Sequence, residues 1–437
     1  MLRLNVDDLK RSIAEYSGFR TVGKLHSAHG VITARLQAGI GELCEIRLSE
    51  DQPAVAEVIG FDREYAQIMS FHRFDGARPG QEVTACGQSH RVPVGWKLLG
   101  RVLNGLGEPI DGGPPIALRT RPSIASAPAP LSRPRIDTRF VTGQRAIDGL
   151  LCCGRGQRVG LFAGRGVGKS TLLGEIAKGA ESDVNVLALI GERGREVVPF
   201  LEDCLGPQGR ERSVVVVSTA DETPLMRVRA LTTALTIADD FRRQGCHVLL
   251  LLDSLTRLAM AQREIGLLRG EPPTARGFTP SVFQLLAETL EQMGTSETGS
   301  ITGILSVLVD GDDMNEPIAD ATRSILDGHI VLDRKLAAKA HFPAIDVSAS
   351  LSRVFQDVTT AEHQAAARKR RSILATHAEV SDLLQIGAYQ RGAMPAVDRA
   401  IDLLPGVEAF LRQQVGDERP FEQTLRQLLE VTSGWEN

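Results

Sequence analysis

Aromatic side chains are scarce in this chain of 437 residues, amounting to 4%, with 2 Trp and 3 Tyr. Proteins that grip single-stranded nucleic acid usually stack bases on aromatic platforms along a basic groove. With a formal net charge of −4, the composition argues against a general nucleic-acid binder. Long hydrophobic runs are also missing: none approaches the ~20 residues of a membrane span. The charged amino terminus, Met1–Lys10, lacks the apolar core of a secretory signal, so a cytoplasmic chain is expected. The six cysteines (Cys44, Cys86, Cys152, Cys153, Cys204, Cys246) show neither metal-ligand spacing nor a small disulfide framework. They are expected to be reduced and mostly buried. No internal repeat or low-complexity tract is present.

A chain of this length suggests two or three domains. Leu2, Val6, Leu9, Ile13 and Tyr16 recur at steps of three and four, which predicts an amphipathic helix over 1–18. Its apolar stripe either packs on its own domain or docks a partner or membrane surface. Short alternating segments such as Leu43–Leu48 and Ala54–Val58, separated by glycines, predict a small β-barrel over 19–92. The proline-bearing stretch from Pro93 to Pro134 reads as an extended connector. Apolar runs then alternate with helical segments: Val159–Phe162, Val184–Ile190, Val214–Val217, Val248–Leu252 and Ile301–Val309. That pattern predicts an α/β core with a parallel sheet covered on both faces, within 93–359. Thr223 and Pro224 look like a helix start. From Thr360 to the end, 360–437, the chain reads as helical, broken by Gly387, Gly392, Pro395 and Pro405.

Ala163-Gly164-Arg165-Gly166-Val167-Gly168-Lys169-Ser170-Thr171 follows the first of these runs and precedes Leu172, Leu173, Ile176 and Ala177 at helical spacing. It reads as a phosphate-binding loop. Its glycines let backbone N–H groups turn inward around a polyphosphate, Lys169 supplies charge to the outer phosphates, and the Ser170 hydroxyl is placed to ligate Mg²⁺. The helix N-terminus adds its dipole. Ala163 stands where the pattern has glycine, a departure that matters only if that residue needs positive φ.

Parallel sheets gather ligand groups at the carboxyl ends of their strands. After the second run comes Gly191-Glu192-Arg193-Gly194-Arg195-Glu196. A carboxylate there is suited to polarise a water opposite the γ-phosphate, while arginine steadies the phosphate oxygens. Glu192 is the candidate for the water and Glu196 a further carboxylate near the metal. After the fourth run, Asp253 fits a Walker B aspartate that holds Mg²⁺ through its water shell. A solvated charged loop and an ordinary strand-end aspartate are the bland alternatives.

These segments, with Thr142–Asp148, Gly156-Gln157-Arg158 and Asp253-Ser254-Leu255-Thr256-Arg257, resemble the F1/V-type ATPase superfamily. Gly270-Glu271-Pro272-Pro273, Gly311–Pro317, Leu326–His329 and Ile386–Tyr389 are similar to the ATPases of type III secretion systems, and Met314-Asn315-Glu316-Pro317 is more like the injectisome branch than the flagellar one. The resemblance implies a β-barrel, a RecA-like core and a helical C-terminal domain, assembled as a homohexamer that hydrolyses ATP with Mg²⁺. It implies that Lys169 and Ser170 are the Walker A pair, Glu192 the catalytic glutamate, Arg193 its phosphate-contacting neighbour and Asp253 Walker B. Arg353, in Leu351-Ser352-Arg353-Val354, would be an arginine finger entering the neighbouring subunit's site, and Phe342 an aromatic stacked on adenine.

Implied partners are a peripheral stator protein at the N-terminal helix, a coiled-coil central stalk near Arg276–Pro280, chaperone–effector complexes at the helical end and an export-gate membrane protein. The location implied is the cytoplasmic face of the inner membrane. The run Arg368-Lys369-Arg370-Arg371 reads as a solvated helix face or an acidic-partner site. Alternative readings are the flagellar export ATPase, a rotary ion-pumping ATPase subunit, and a Rho-like ring motor on nucleic acid. The last would show RNA-stimulated, salt-sensitive hydrolysis.

Overall fold

The computed structural model describes residues 20–432, apart from 30, 49–52, 124–126, 310, 312 and 418, together with Trp435. The helix expected over 1–18 lies outside the described residues.

Period-two alternation builds the first unit. Strands β1 (Val22–His29), β2 (Val31–Arg35), β3 (Glu42–Arg47), β4 (Pro53–Asp62), β5 (Tyr65–Ser70) and β6 (Glu82–Ser89) close into an antiparallel barrel in the order β1-β2-β5-β4-β3-β6. Within β3, Cys44 and Ile46 point inward and are fully buried while Arg47 is exposed. Inward residues Leu25, Ala34, Ala56, Val58, Ile68 and Val83 complete the barrel core.

The predicted apolar runs all become strands of one nine-stranded sheet. With β7 (Val102–Leu103), β8 (Arg158–Ala163), β9 (Val184–Glu192), β10 (Ser213–Thr219), β11 (His247–Asp253), β12 (Ser300–Leu308), β13 (Gly328–Leu332) and β14 (Ile345–Ser352), the order is β14-β13-β8-β12-β11-β9-β10-β7, and the ninth strand, Gly294–Thr295, pairs with β12 off this path. Pairing along this path is parallel except between β13 and β14. Alternation divides each strand between two cores. Leu187 and Leu189 pack on one face of the sheet, and Val186, Ala188 and Ile190 pack on the other. A strand covered on both sides must be apolar throughout, which is why these runs stood out.

Two expectations need correction, and two strands were not foreseen. The stretch from Pro93 to Pro134 is more than a connector: Val102–Leu103 adds the sheet's far edge beside β10, and Arg119–Pro122 pairs with Arg91–Val94. β13 is only five residues long with alternate positions half-buried, and β14 alternates apolar with polar residues, so both escaped the search for long apolar runs. Pro405 does not break a helix: α4 (Pro395–Leu411) runs through it. The other helices used below are α1 (Lys169–Gly179), α2 (Pro317–Ile325), α3 (Ala361–Gln385) and α5 (Phe421–Thr432).

Helix starts follow the capping chemistry. Thr223 Oγ1 accepts from Met226 N (3.2 Å) and Thr360 Oγ1 from His363 N (3.3 Å). The basic run on α3 splits: Arg370 is fully buried, 4.1 Å over the Phe410 ring, and donates to the Gly406 and Val407 carbonyls, while Arg371 donates to Leu150 O (2.8 Å). Only Arg368 and Lys369 remain for a surface role. Cys44, Cys152, Cys153 and Cys246 are buried, and all six cysteines are free thiols. Among the described residues, no helix is long and apolar enough to cross a membrane.

Candidate nucleotide site

β8 ends at Ala163, whose backbone is extended and paired in register with Leu308 and Leu332 on either side. Positive φ falls instead on Gly166 (77°) and Gly168 (87°), the latter capping α1. The loop therefore keeps glycine where the backbone must be left-handed and tolerates alanine where it need not be. Val167 is buried and anchors the turn, whereas Arg165, Gly166, Ser170 and Thr171 line its open side with Gly164 behind them.

The strand ends of β8, β9 and β11 lie close together. The Lys169 ammonium contacts Asp253 Oδ1 and lies 3.9 Å from Glu192 Oε1. Ser306 Oγ donates to the same Asp253 oxygen (2.7 Å). These three charged side chains are nearly buried, at 11%, 5% and 12% exposure for Lys169, Asp253 and Glu192. Two carboxylates facing one ammonium leave an excess of negative charge. Burial, and next the Asp253 charge, push the Glu192 carboxyl up to about 7, with Lys169 and Arg257 opposing and Glu196 sharing a hydrogen bond. That value puts Glu192 in the range of a general base near neutrality.

Arg257 is the residue that motif reading passed over. It lies one helical turn after Asp253, inside a segment quoted for its family likeness but given no role. Its guanidinium pairs with Glu192 Oε2 (3.1 Å) and donates to the Gly191 carbonyl. Gly191 has φ 71°, and a Cβ there would come within 3.0 Å of Arg257 Cβ, so the glycine lets this brace form.

The expected neighbours of Glu192 are placed differently. Arg193 is 57% exposed and pairs with Glu196 (3.1 Å). Ser170, Glu192, Glu196 and Asp253 border one cavity of about 330 Å³, with Arg195 at its rim. Ser170 and Asp253 are hard oxygen donors of the kind Mg²⁺ takes alongside waters and substrate phosphates. Among the described residues no group of three or more His, Cys, Asp or Glu is arranged to hold a metal.

On the other side of the loop a larger cavity of about 1110 Å³ opens. Phe342 lines it, 45% exposed, with its ring over Gly168, 3.5 Å from where a Cβ would be. An aromatic that exposed is no core residue. The opposite wall is the segment after α4: Gln413 N donates to Phe342 O (2.9 Å), Gln413 Nε2 to Gly143 O (2.8 Å), and Gly416 N to Glu175 Oε2 (2.7 Å). Nothing in the sequence flagged Gln413–Asp417, because these residues come into play only through tertiary docking.

Arg353 is not brought to this site. It follows Ser352, which pairs with Gly328 at the start of β13, and Gly328 pairs with Val159 at the start of β8. It therefore sits at the amino edge of the sheet, a strand's length from the loop, roughly 17 Å at ~3.3 Å per residue.

A phosphate loop at the carboxyl edge of a parallel sheet, with carboxylates on two neighbouring strand ends, defines a RecA-like P-loop nucleoside triphosphatase. Residues 143–352 match the ATP synthase alpha/beta family nucleotide-binding domain, 22–87 that family's beta-barrel domain, and 359–430 the T3SS EscN ATPase C-terminal domain. The chain is 45% identical to a type 3 secretion system ATPase of Pseudomonas syringae pv. syringae, over 99% of this chain and 98% of that one. It is 49% identical to the flagellum-specific ATP synthase of Bacillus subtilis (strain 168), over 91% and 92%. The solved structure of the assembled ATPase EscN, from the enteropathogenic E. coli type III secretion system, superposes with a TM-score of 0.89 at 46% identity, covering 94% of this chain and all of that one. EscN has also been solved in complex with its central stalk EscO, with a TM-score of 0.86. The chain belongs to the ATP synthase alpha/beta family and, within it, to the ATPases of type 3 secretion systems; it is an ATP hydrolase.

Proposed function

We propose that the protein works as a ring of six identical subunits, each completing the nucleotide site of the next through Arg353. The position of Arg353 carries the reading: at the amino edge of the sheet it is too far from its own Lys169 to touch the same nucleotide. In this reading the units 19–92, 93–359 and 360–437 act as collar, motor and cargo-facing end. The substrate is Mg-ATP, bound with its phosphates over Gly164–Thr171 and its adenine against Phe342. Bound Mg²⁺ lowers the charge barrier on the phosphates. Lys169, paired with Asp253 here, would turn to the phosphates, and Asp253 and Ser170 are the residues that would hold the metal. Glu192, held by Arg257, accepts the proton of the attacking water, and Arg353 of the adjoining copy neutralises charge on the transferring phosphoryl group.

Hydrolysis then energises chaperone release and effector unfolding at a cytoplasmic export gate, with a coiled-coil stalk near Arg276, which pairs with Asp313 (3.2 Å). EscN assembled and in complex with EscO supports the ring and the stalk. Met314-Asn315-Glu316-Pro317 favours the injectisome branch over the flagellar one. The test is ATPase rate against protein concentration, with and without a stalk protein and a chaperone–effector pair. Specific activity should climb steeply with concentration, and a flat profile from dilute monomer upward would remove the shared site.

A further inference from the structure

The amino edge carries a second cation that the motifs did not mark. Arg323 sits in the last turn of α2, an amphipathic helix whose buried face is Ile318, Ala319 and Thr322. That turn leads into Gly328, so Arg323 and Arg353 arrive at the same sheet edge from different elements. Together they line one cavity of about 370 Å³, with Ser324, Gly328, His329 and Leu351 between them. Asp320 takes only the Nη2 corner of Arg323 (3.2 Å) and is itself 66% exposed. His329 is no counter-charge: its ring faces the Ala349 carbonyl (3.0 Å), and burial together with the two guanidiniums pulls its pKa down. The concavity thus holds two fixed cations against one exposed carboxylate. Gly328 leaves its floor without a side chain, where a Cβ would come within 2.7 Å of Leu351 O.

We propose that Arg323 is a second guanidinium delivered in trans, which contacts non-bridging phosphate oxygens of the nucleotide held by the adjoining copy. The inference rests on the in-trans reading of Arg353. Two planar forks converging on one pocket match the several oxygens of a polyphosphate better than a single carboxylate side chain. Asp320 is a positioning residue, keeping the Arg323 fork over the pocket. In a lone subunit the cavity faces solvent, and its ligand comes with assembly.

The test uses full-length protein assembled with ATP. Arg323→Gln should lower turnover per assembled subunit roughly ten- to hundredfold, the range for a lost hydrogen bond to a charged group, while nucleotide binding to dilute subunits is unchanged. Arg323→Gln copies are then mixed with Lys169→Ala copies, which cannot process nucleotide but present intact arginines. Recovery of hydrolysis by the mixture supports the proposal. If Arg353→Ala is rescued by Lys169→Ala while Arg323→Gln is not, Arg323 acts within its own subunit and the proposal fails with the shared site standing. If neither is rescued, the shared site fails and the proposal with it. If sedimentation shows that Arg323→Gln no longer assembles, the residue belongs to subunit packing and the proposal is overturned.

Discussion

The two edges of the central sheet are built on opposite electrostatic plans. At the carboxyl edge Lys169, Asp253, Glu192 and Arg257 neutralise one another in a nearly buried cluster. At the amino edge Arg353 and Arg323 line an open cavity in which Asp320 is the one carboxylate-bearing lining residue among the described residues. The first arrangement is complete until a polyphosphate displaces the internal partner of Lys169. In the second, Asp320 holds one corner of Arg323 from an exposed position and leaves the rest of the pocket open. Under the proposed shared site, a subunit would hold a nucleotide at one edge and complete another copy's site with the other, and hydrolysis would depend on assembly.

The hardest blow to this contrast would come from Arg353. If its role is confined to the adjoining site, Arg353→Ala should cost roughly 10⁴-fold in turnover of assembled rings, within the range of arginine fingers, and leave ATP affinity of dilute subunits unchanged. Equal loss in monomer and ring would place the arginine's effect inside its own subunit. Turnover by single-cycle kinetics and affinity by a fluorescent nucleotide separate the two.

Glu192→Gln probes the opposite edge and should lower turnover roughly 10³-fold while ATP still binds. The pH dependence follows in sign from the raised carboxyl. A base must be deprotonated to accept the water's proton, so kcat/KM of the wild type should rise with pH through about 7 and level off above it. Loosening the brace with Arg257→Ala removes a cation that opposes the rise, so that acid limb should move to higher pH. A limb that stays in place would show that Arg257 does not set the charge of Glu192.

Phe342→Ala tests the far side of the same edge. Loss of base stacking should raise KM roughly tenfold with kcat little changed, since stacking on the base holds substrate and transition state alike. The relative size of this effect and the previous two would sharpen the division between holding the nucleotide and turning it over.

How far the edges were legible in the sequence follows from the same geometry. The carboxyl edge was readable because each strand there is apolar on both faces and ends in its functional group: Ala163 before the loop, Ile190 before Glu192, Leu252 before Asp253. Contiguity in space is contiguity in sequence at those points. Gln413–Asp417 sit against Phe342 only because α4 docks on the core, and no local pattern announces that. Arg353 and Arg323 follow polar, half-exposed segments, so residue patterns alone could not tell them from ordinary surface arginines. Family likeness alone singled out Arg353 as a candidate, and only the shared cavity brings Arg323 beside it. The barrel was legible from alternation, whereas β7 was hidden among prolines.

The smallest expected effect bears on the one irregular position of the phosphate loop. Ala163→Gly restores the common pattern, and if glycine were needed there for phosphate binding, ATP should bind more tightly in the variant. The backbone argues otherwise. Ala163 is the last paired residue of β8, its carbonyl accepts from Val309 N (3.1 Å), and its side chain is buried at 1% exposure. Glycine in a strand costs roughly 0.5–1 kcal/mol relative to alanine, through chain entropy and lost packing. The variant should therefore melt a few degrees lower, about 1–4 °C, with ATP affinity and turnover within about twofold of wild type. If the Ala163→Gly protein bound ATP severalfold more tightly, the alanine would be restraining a motion that the extended backbone does not reveal, and the carboxyl edge would then be less rigid than its hydrogen bonds imply.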